Sequence, residues 1–246
     1  MNYFDQFHPG LSVDCVIFGF HENELKILLL KMHHAKKWAA PGGFVKKNEE
    51  VDEAATRVLE ERTGLKNIFL EQFRLFGNLE RHDTSHVSTL VDDGVIPPSL
   101  EKWFRQRFVT VGYFALVEFS RVEPAPDIIS EKCEWVSLNN LPNLIIDHKK
   151  IIEKGLDALQ NRLRSQPIGR ELLPEKFTMS ELRTLYETIL GEKLDRGNFQ
   201  RKILSYNILK RLDETRKGGA HKAPYLYSFN DKKYDQSLEQ GFSRIW

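Results

Sequence analysis

Cysteine is scarce: only Cys15 and Cys133 occur in 246 residues. Each sits in an apolar, strand-like run, "SVDCVIFGF" and "EKCEWVSL". That argues against a secreted disulfide scaffold and leads us to expect reduced, buried thiols in a cytoplasmic protein. With so few cysteines and eight scattered histidines, no tight Cys/His cluster offers a zinc site. Apolar runs are short. None approaches the roughly 20 residues that span a bilayer, so no membrane partner is expected. The opening "MNYFDQFHPG" lacks the basic segment and apolar run of a signal peptide, so no leader is expected there. Net charge is also small, +1.

The charge that is present is unevenly spread. Residues 1–165 carry 21 Lys/Arg against 24 Asp/Glu, and residues 166–246 carry 15 against 11. Within 196–222 the count is 8 against 2, the strongest charge signal in the chain. With 41% hydrophobic residues and 16 Phe there is ample core material, enough for one large domain or two modest ones. The segment "RSQPIGRELLPEKF" has two prolines and a glycine in fourteen residues, and the boundary is placed there, giving domains 1–165 and 166–246.

In the first part, "SVDCVIFGF" and "LKILLLKM" flank the polar "HENE" and read as a hairpin. A loop containing "KKWAAPGGF" follows, then a helix over 49–62 stopped by Gly64. "IFLEQFRLFG", "FVTVGYFALVEF" and "EKCEWVSL" are further strands, and 147–164 is an amphipathic helix with Ile151, Ile152, Leu156, Leu159 and Leu163 inward. Residues 81–107, polar and proline-containing, read as an inserted loop with one short helix. In the second part, Thr178-x-x-Glu181 opens a helix as a capping box. Leu182, Leu185, Tyr186, Ile189 and Leu190 form its apolar stripe, and Gly191 stops it. Asp195 caps a second helix, "RGNFQRKILSYN", with Phe199, Ile203 and Tyr206 on one face. Strand, glycine turn and strand follow: "ILKRLDET", "RKGGAHKAP", "YLYSFN".

Two constellations carry chemistry. From Gly43 the chain resembles the Nudix box, G-x5-E-x7-R-E-U-x-E-E-x-G-U. Gly43, Glu49, Arg57, Leu59, Glu61, Gly64 and Leu65 fall on it without a gap, seven of nine fixed positions. Nudix hydrolases split a diphosphate with Mg²⁺ or Mn²⁺, held by glutamates that share one helix face. Here two of those positions hold Val58 and Arg62. Val58 has no oxygen to offer, and a guanidinium repels a cation by several kcal/mol at about 4 Å and intermediate dielectric. The resemblance therefore implies a preserved scaffold with no catalytic residue, no metal site and no cofactor. Glu53, Arg57 and Glu61, at i, i+4 and i+8, are expected to form a salt-bridged stripe.

The second constellation is the order helix, turn, helix, basic hairpin, which is that of a winged helix. Its second helix carries Arg196, Asn198, Gln200, Arg201 and Lys202, residue types that read base edges or clasp phosphates. The hairpin adds Arg216, Lys217, His221 and Lys222 around Gly218-Gly219. A solvated basic face or a protein-docking module is the alternative for the same residues.

Together the halves resemble the Nudix-related transcriptional regulators. The words "LPEKFTMSELRTLYE" and "RVLEERTGL" look most like an arabinose-responsive branch, and a sister branch responds to ADP-ribose. The resemblance implies an α+β chain: a Nudix α/β/α sandwich with a mixed sheet, followed by a winged helix-turn-helix. It further implies a homodimer on a double-stranded, pseudo-palindromic operator, gated by a small molecule, a sugar or ADP-ribose, in the old substrate cleft. The candidate cleft residues are Asp14, Lys31, Phe44, Arg57, Glu61 and Tyr113, although Asp14 could simply pair with Lys31, and Tyr113 could be core. An active diphosphohydrolase acting on ADP-ribose or a related nucleoside diphosphate derivative is the competing reading.

Overall fold

A computed structural model describes residues 3–33, 36–81, 84–216 and 223–240. Two compact units emerge. The first gathers residues 1–19 and 26–155, the second 20–25 and 156–246.

The first unit is built on a seven-stranded mixed sheet ordered β3-β2-β1-β6-β5, with β4 paired to β1 and β7 to β2. The strands are β1 (Phe7–His21), β2 (Glu24–Met32), β3 (Trp38–Ala39), β4 (Gly42–Lys46), β5 (Phe69–Phe76), β6 (Val109–Val117) and β7 (Ser130–Ser137). Glu22 and Asn23, with φ of 52° and 61°, close the β1–β2 turn; two consecutive left-handed residues match the twist of a tight hairpin. β1 and β6 are parallel, in register from Leu11↔Val109 to Gly19↔Val117. Their near-continuous apolar runs follow from burial on both faces. Val13, Cys15 and Ile17 share a core with Ala54, Ala55, Val58 and Leu59 of helix α1 (Val51–Thr63). The alternate residue Val16 packs against Gly155 of helix α4 (His148–Ser165), where an added Cβ would come within 2.9 Å of it. The period of two thus sends one set of side chains to each helical layer, and the α/β/α sandwich is formed. Both cysteines are buried and free, and burial pushes the Cys133 thiol up to about 12.

Three sequence expectations need correction. "KKWAAPGGF" is not all loop, because it supplies β3 and β4. The 81–107 insertion holds two helices, α2 (Thr84–Asp92) and α3 (Glu101–Arg105), with a 3-10 turn at Pro98–Leu100 between them. It carries its own apolar cluster of Val87, Leu90 and Ile96. Finally, Glu53 does not join the Arg57 stripe. It accepts from the Glu50 N–H at 2.8 Å in a capping box at the start of α1, which leaves Arg57 to Glu49.

The second unit places helices α5 (Met179–Leu190), α6 (Arg196–Ser205) and α7 (Asp231–Gln240) with a three-stranded sheet ordered β8-β10-β9. The strands are β8 (Phe177–Thr178), β9 (Leu209–Thr215) and β10 (Tyr225–Phe229). The Thr178–Glu181 box is complete, with the Glu181 N–H donating to Thr178 Oγ1 at 3.1 Å and the Thr178 N–H to Glu181 Oε2 at 2.6 Å. Gly191 ends α5 at φ 71°, and the Asp195 carboxylate accepts from the Asn198 N–H at 2.8 Å to open α6. Phe199 and Tyr186, each 1% exposed, meet edge to face at 5.4 Å and join α6 to α5. Among the described residues no helix is long and apolar enough to cross a membrane.

Candidate functional site

The paired glycines of "PGGF" are where the cavity of the first unit is shaped. β4 lies antiparallel to β1 with Val13 opposite Gly43 and Asp14 opposite Gly42. A Cβ on Gly42 would clash with the Asp14 carboxylate, and one on Gly43 would lie 2.6 Å from Val58 Cγ2. Gly42 therefore makes room for an acid, and Gly43 for an aliphatic side chain at a position where the Nudix box carries a glutamate. Val58 is 1% exposed and belongs to the core.

Arg57 is fully committed. Its Nε and Nη2 donate to the two oxygens of Glu49 at 3.0 and 2.7 Å, Nη2 also donates to the Phe44 carbonyl at 2.9 Å, and Nη1 reaches Glu61 at 3.3 Å. The guanidinium holds the Glu49 carboxyl below the usual range, and Glu49 in turn raises Arg57. This ties the loop before α1 to the helix face. Arg62 is 9% exposed, donating from Nη2 to Glu61 at 3.1 Å and from Nη1 to the Ala125 carbonyl at 3.1 Å. Both oxygens of Glu61 are therefore paired with arginines. A divalent ion asks for hard oxygen ligands, and the residues at these box positions do not fit one.

The cavity has a volume of about 300 Å³. One wall is phenylalanine: Phe4, Phe7, Phe44, Phe104 and Phe108, with Phe44 and Phe108 at 4.8 Å between ring centroids. Phe104 and Phe108 come from the insertion or its exit, which therefore borders the cleft. Asp14 and Arg81 also line it and are buried. Arg81, 5% exposed, donates to Asp14 and Asp147, each at 2.8 Å, and to the Phe108 carbonyl at 3.2 Å. His148 lies beside it and accepts the Ala40 N–H on Nδ1 at 3.0 Å, so its proton sits on Nε2. Ile146, at φ 45°, is a β-branched residue in the left-handed region, a strained position directly before Asp147 and His148.

Of the cleft residues expected from sequence, Asp14, Phe44, Arg57 and Glu61 line this cavity. Lys31 pairs with Glu131, away from it, so the Asp14–Lys31 pair left open by the sequence is replaced by Asp14–Arg81. Tyr113 is core: it is 2% exposed, and its hydroxyl donates to Asp52. Arg81, Asp147 and His148 went unnoticed in the sequence because their partners are remote, 66 to 108 residues away.

Burial lowers the His148 pKa from 6.5. A histidine held neutral in the fold contributes its stability in full above the unfolded value and loses it as pH falls from there toward the depressed folded value. Melting temperature is therefore expected to drop on acidification below about pH 6.5, and His148→Gln, which keeps an acceptor for Ala40, is expected to flatten that decline. Parallel curves for the two proteins would refute the assignment.

On the second unit, Arg196, Asn198 and Arg201 are exposed on α6, with Gln200 and Lys202 partly so. Arg201 donates to Asn198 Oδ1 at 2.6 Å. Arg216 is held by both oxygens of Glu181 at 2.9 Å. Lys217, His221 and Lys222, with Gly218-Gly219, lie outside the described residues. The basic surface also includes Arg211, stacked on the exposed Tyr225 ring at 4.7 Å, a pair that sequence reading did not single out.

Comparison with known proteins agrees with both halves. Residues 8–155 match the NUDIX domain family, and residues 169–229 match the NrtR DNA-binding winged helix domain. An ADPR-responsive transcriptional repressor, NtrR, of Acinetobacter baylyi is 31% identical over 234 residues, 92% of this chain and 84% of that one. An ADP-ribose pyrophosphatase of Methanocaldococcus jannaschii is 32% identical over 149 residues, 59% of this chain and 72% of that one. The crystal structure of Shewanella oneidensis NrtR, 24% identical, shares the fold at a TM-score of 0.74, covering 96% of this chain and 99% of that one. The chain thus belongs to the Nudix-related transcriptional regulators, in which a Nudix domain is followed by an NrtR-type DNA-binding winged helix.

Proposed function

We propose that this protein is a transcriptional repressor whose first domain, residues 1–165, is an ADP-ribose receptor and not a hydrolase, and whose second, residues 166–246, reads operator DNA as a homodimer. The observation that carries the reading is the pairing of a retained cavity with a box whose ligand positions hold a core valine and an ion-paired arginine. A relative spanning nearly the whole chain is a repressor responsive to ADP-ribose. The comparisons lend no support to the arabinose branch. The phenylalanine wall also suits the face of a purine better than a bare pentose, whose surface is largely hydroxyl.

The regulation is a matter of linkage. ADP-ribose alters operator affinity only to the extent that it binds one conformation of the dimer better than another, and about 1.4 kcal/mol of difference gives tenfold. A mobility-shift titration with DNA from upstream of the protein's own operon tests this. Binding is expected to be specific, salt-sensitive and altered by ADP-ribose. Arg201→Ala is expected to weaken it about 10- to 100-fold, since a bidentate arginine–base contact is worth about 1–3 kcal/mol. Unchanged affinity would place the reading surface elsewhere, and release of AMP and ribose 5-phosphate from ADP-ribose with Mg²⁺ would favour the hydrolase.

A further inference from the structure

We infer that Arg62 itself is the phosphate-gripping group of the cavity, so that a nucleoside diphosphate ester binds here with no divalent cation. The inference rests on the receptor reading above and extends it to how the ligand's charge is met.

Arg62 lines the cavity, is 9% exposed, and spends two of its three nitrogens on Glu61 and the Ala125 carbonyl. The third, Nε, is buried with no hydrogen-bond partner. Gln106 also lines the cavity, and its Nε2 is likewise buried and unpartnered. Among the described residues these are the two cavity-lining side chains with an unsatisfied buried polar atom, and both atoms are donors. An unmet buried donor carries a desolvation cost that only an incoming acceptor removes. A ligand that brings acceptors relieves that cost, a negative one most of all, because one of the two donors is a guanidinium. The oxygens of a diphosphate meet both demands, and guanidinium N–H groups match phosphate geometry.

The two departures from the Nudix box now have a joint rationale. A hydrolase tolerates clustered carboxylates beside a diphosphate because a metal ion screens them. Without the ion those carboxylates would repel the ligand. Val58 and Arg62 remove two negative charges and add one positive. Glu61, which remains, is bridged to Arg57 as well as to Arg62, so it keeps one arginine partner, shared with Glu49, when Arg62 turns toward a ligand. The site exchanges a metal-mediated grip for a direct one.

Calorimetric titration of the full chain with ADP-ribose, in EDTA and in excess magnesium, tests this. Equal affinity in the two buffers is expected, with a loss of about 10- to 100-fold in Arg62→Gln, corresponding to about 1.4–2.8 kcal/mol. Because Arg62 also holds the Ala125 carbonyl, Gln106→Leu accompanies it; this change leaves every Arg62 ion pair in place and is expected to weaken binding as well. Binding that vanishes in EDTA would overturn the inference and leave the receptor reading standing. Wild-type affinity in both variants would do the same. If wild type binds no ADP-ribose in either buffer, the receptor reading fails. Inorganic pyrophosphate then decides: metal-independent binding lost in Arg62→Gln would keep the grip, and no binding would end it.

Discussion

Arg81→Met is expected to destabilise the fold by about 3–5 kcal/mol at neutral pH, the usual cost of breaking a buried ion pair from one side. The size follows from what is left behind. Arg81 is almost wholly enclosed, and its guanidinium serves Asp14, Asp147 and the Phe108 carbonyl together. Removing it strands the buried Asp14 carboxylate beside the cavity, takes a partner from the part-exposed Asp147, and frees the start of the insertion that carries part of the phenylalanine wall. Methionine keeps most of the volume, so the loss reports charge rather than a void. Adding Asp14→Asn to Arg81→Met should recover part of the stability, and the double-mutant cycle isolates the coupling. Denaturant midpoints measure it. A loss below about 1 kcal/mol, within the range of exposed pairs, would mean that solvent reaches the network.

Phe199→Ala should cost about 3–5 kcal/mol, typical of truncating a buried aromatic side chain. Phe199 seats α6, the helix proposed to read DNA, against Tyr186 of α5, and nothing else on α6 but Ile203 is fully buried. Operator binding is expected to be lost together with stability. Arg201→Ala, on the exposed face of the same helix, should change stability by no more than about 0.5 kcal/mol while still weakening DNA binding. The two variants together separate seating the helix from reading with it. If Phe199→Ala melted like wild type yet failed on DNA, Phe199 would be part of the contact surface and not of the core.

What could be read from sequence alone was mostly local. Gly64, Gly191, Asp195 and the Thr178–Glu181 box are caps whose partners lie within a few residues, and each does what its residue type implies. The box helix and the paired strands followed from spacing and period. The polar lining of the cavity did not, because Arg81 finds Asp14 from 67 residues away and His148 finds Ala40 from 108. No periodicity encodes such a meeting. The insertion was hard for a related reason. Val87, Leu90, Ile96 and Leu100 are buried, but polar residues and two prolines interrupt their spacing, so tertiary burial rather than a repeating stripe makes it part of the fold. Glu53 shows the opposite failure, in which a valid i, i+4 rule lost to a capping box one turn earlier.

Glu181 closes the helix cap with Thr178 and also clamps Arg216 at the foot of the hairpin. Anyone grafting this reading head onto another sensor, or exchanging its hairpin for one with a different operator preference, must move positions 178, 181 and 216 as a set. A transplant that carries the hairpin without its carboxylate anchor would leave the new loop unmoored.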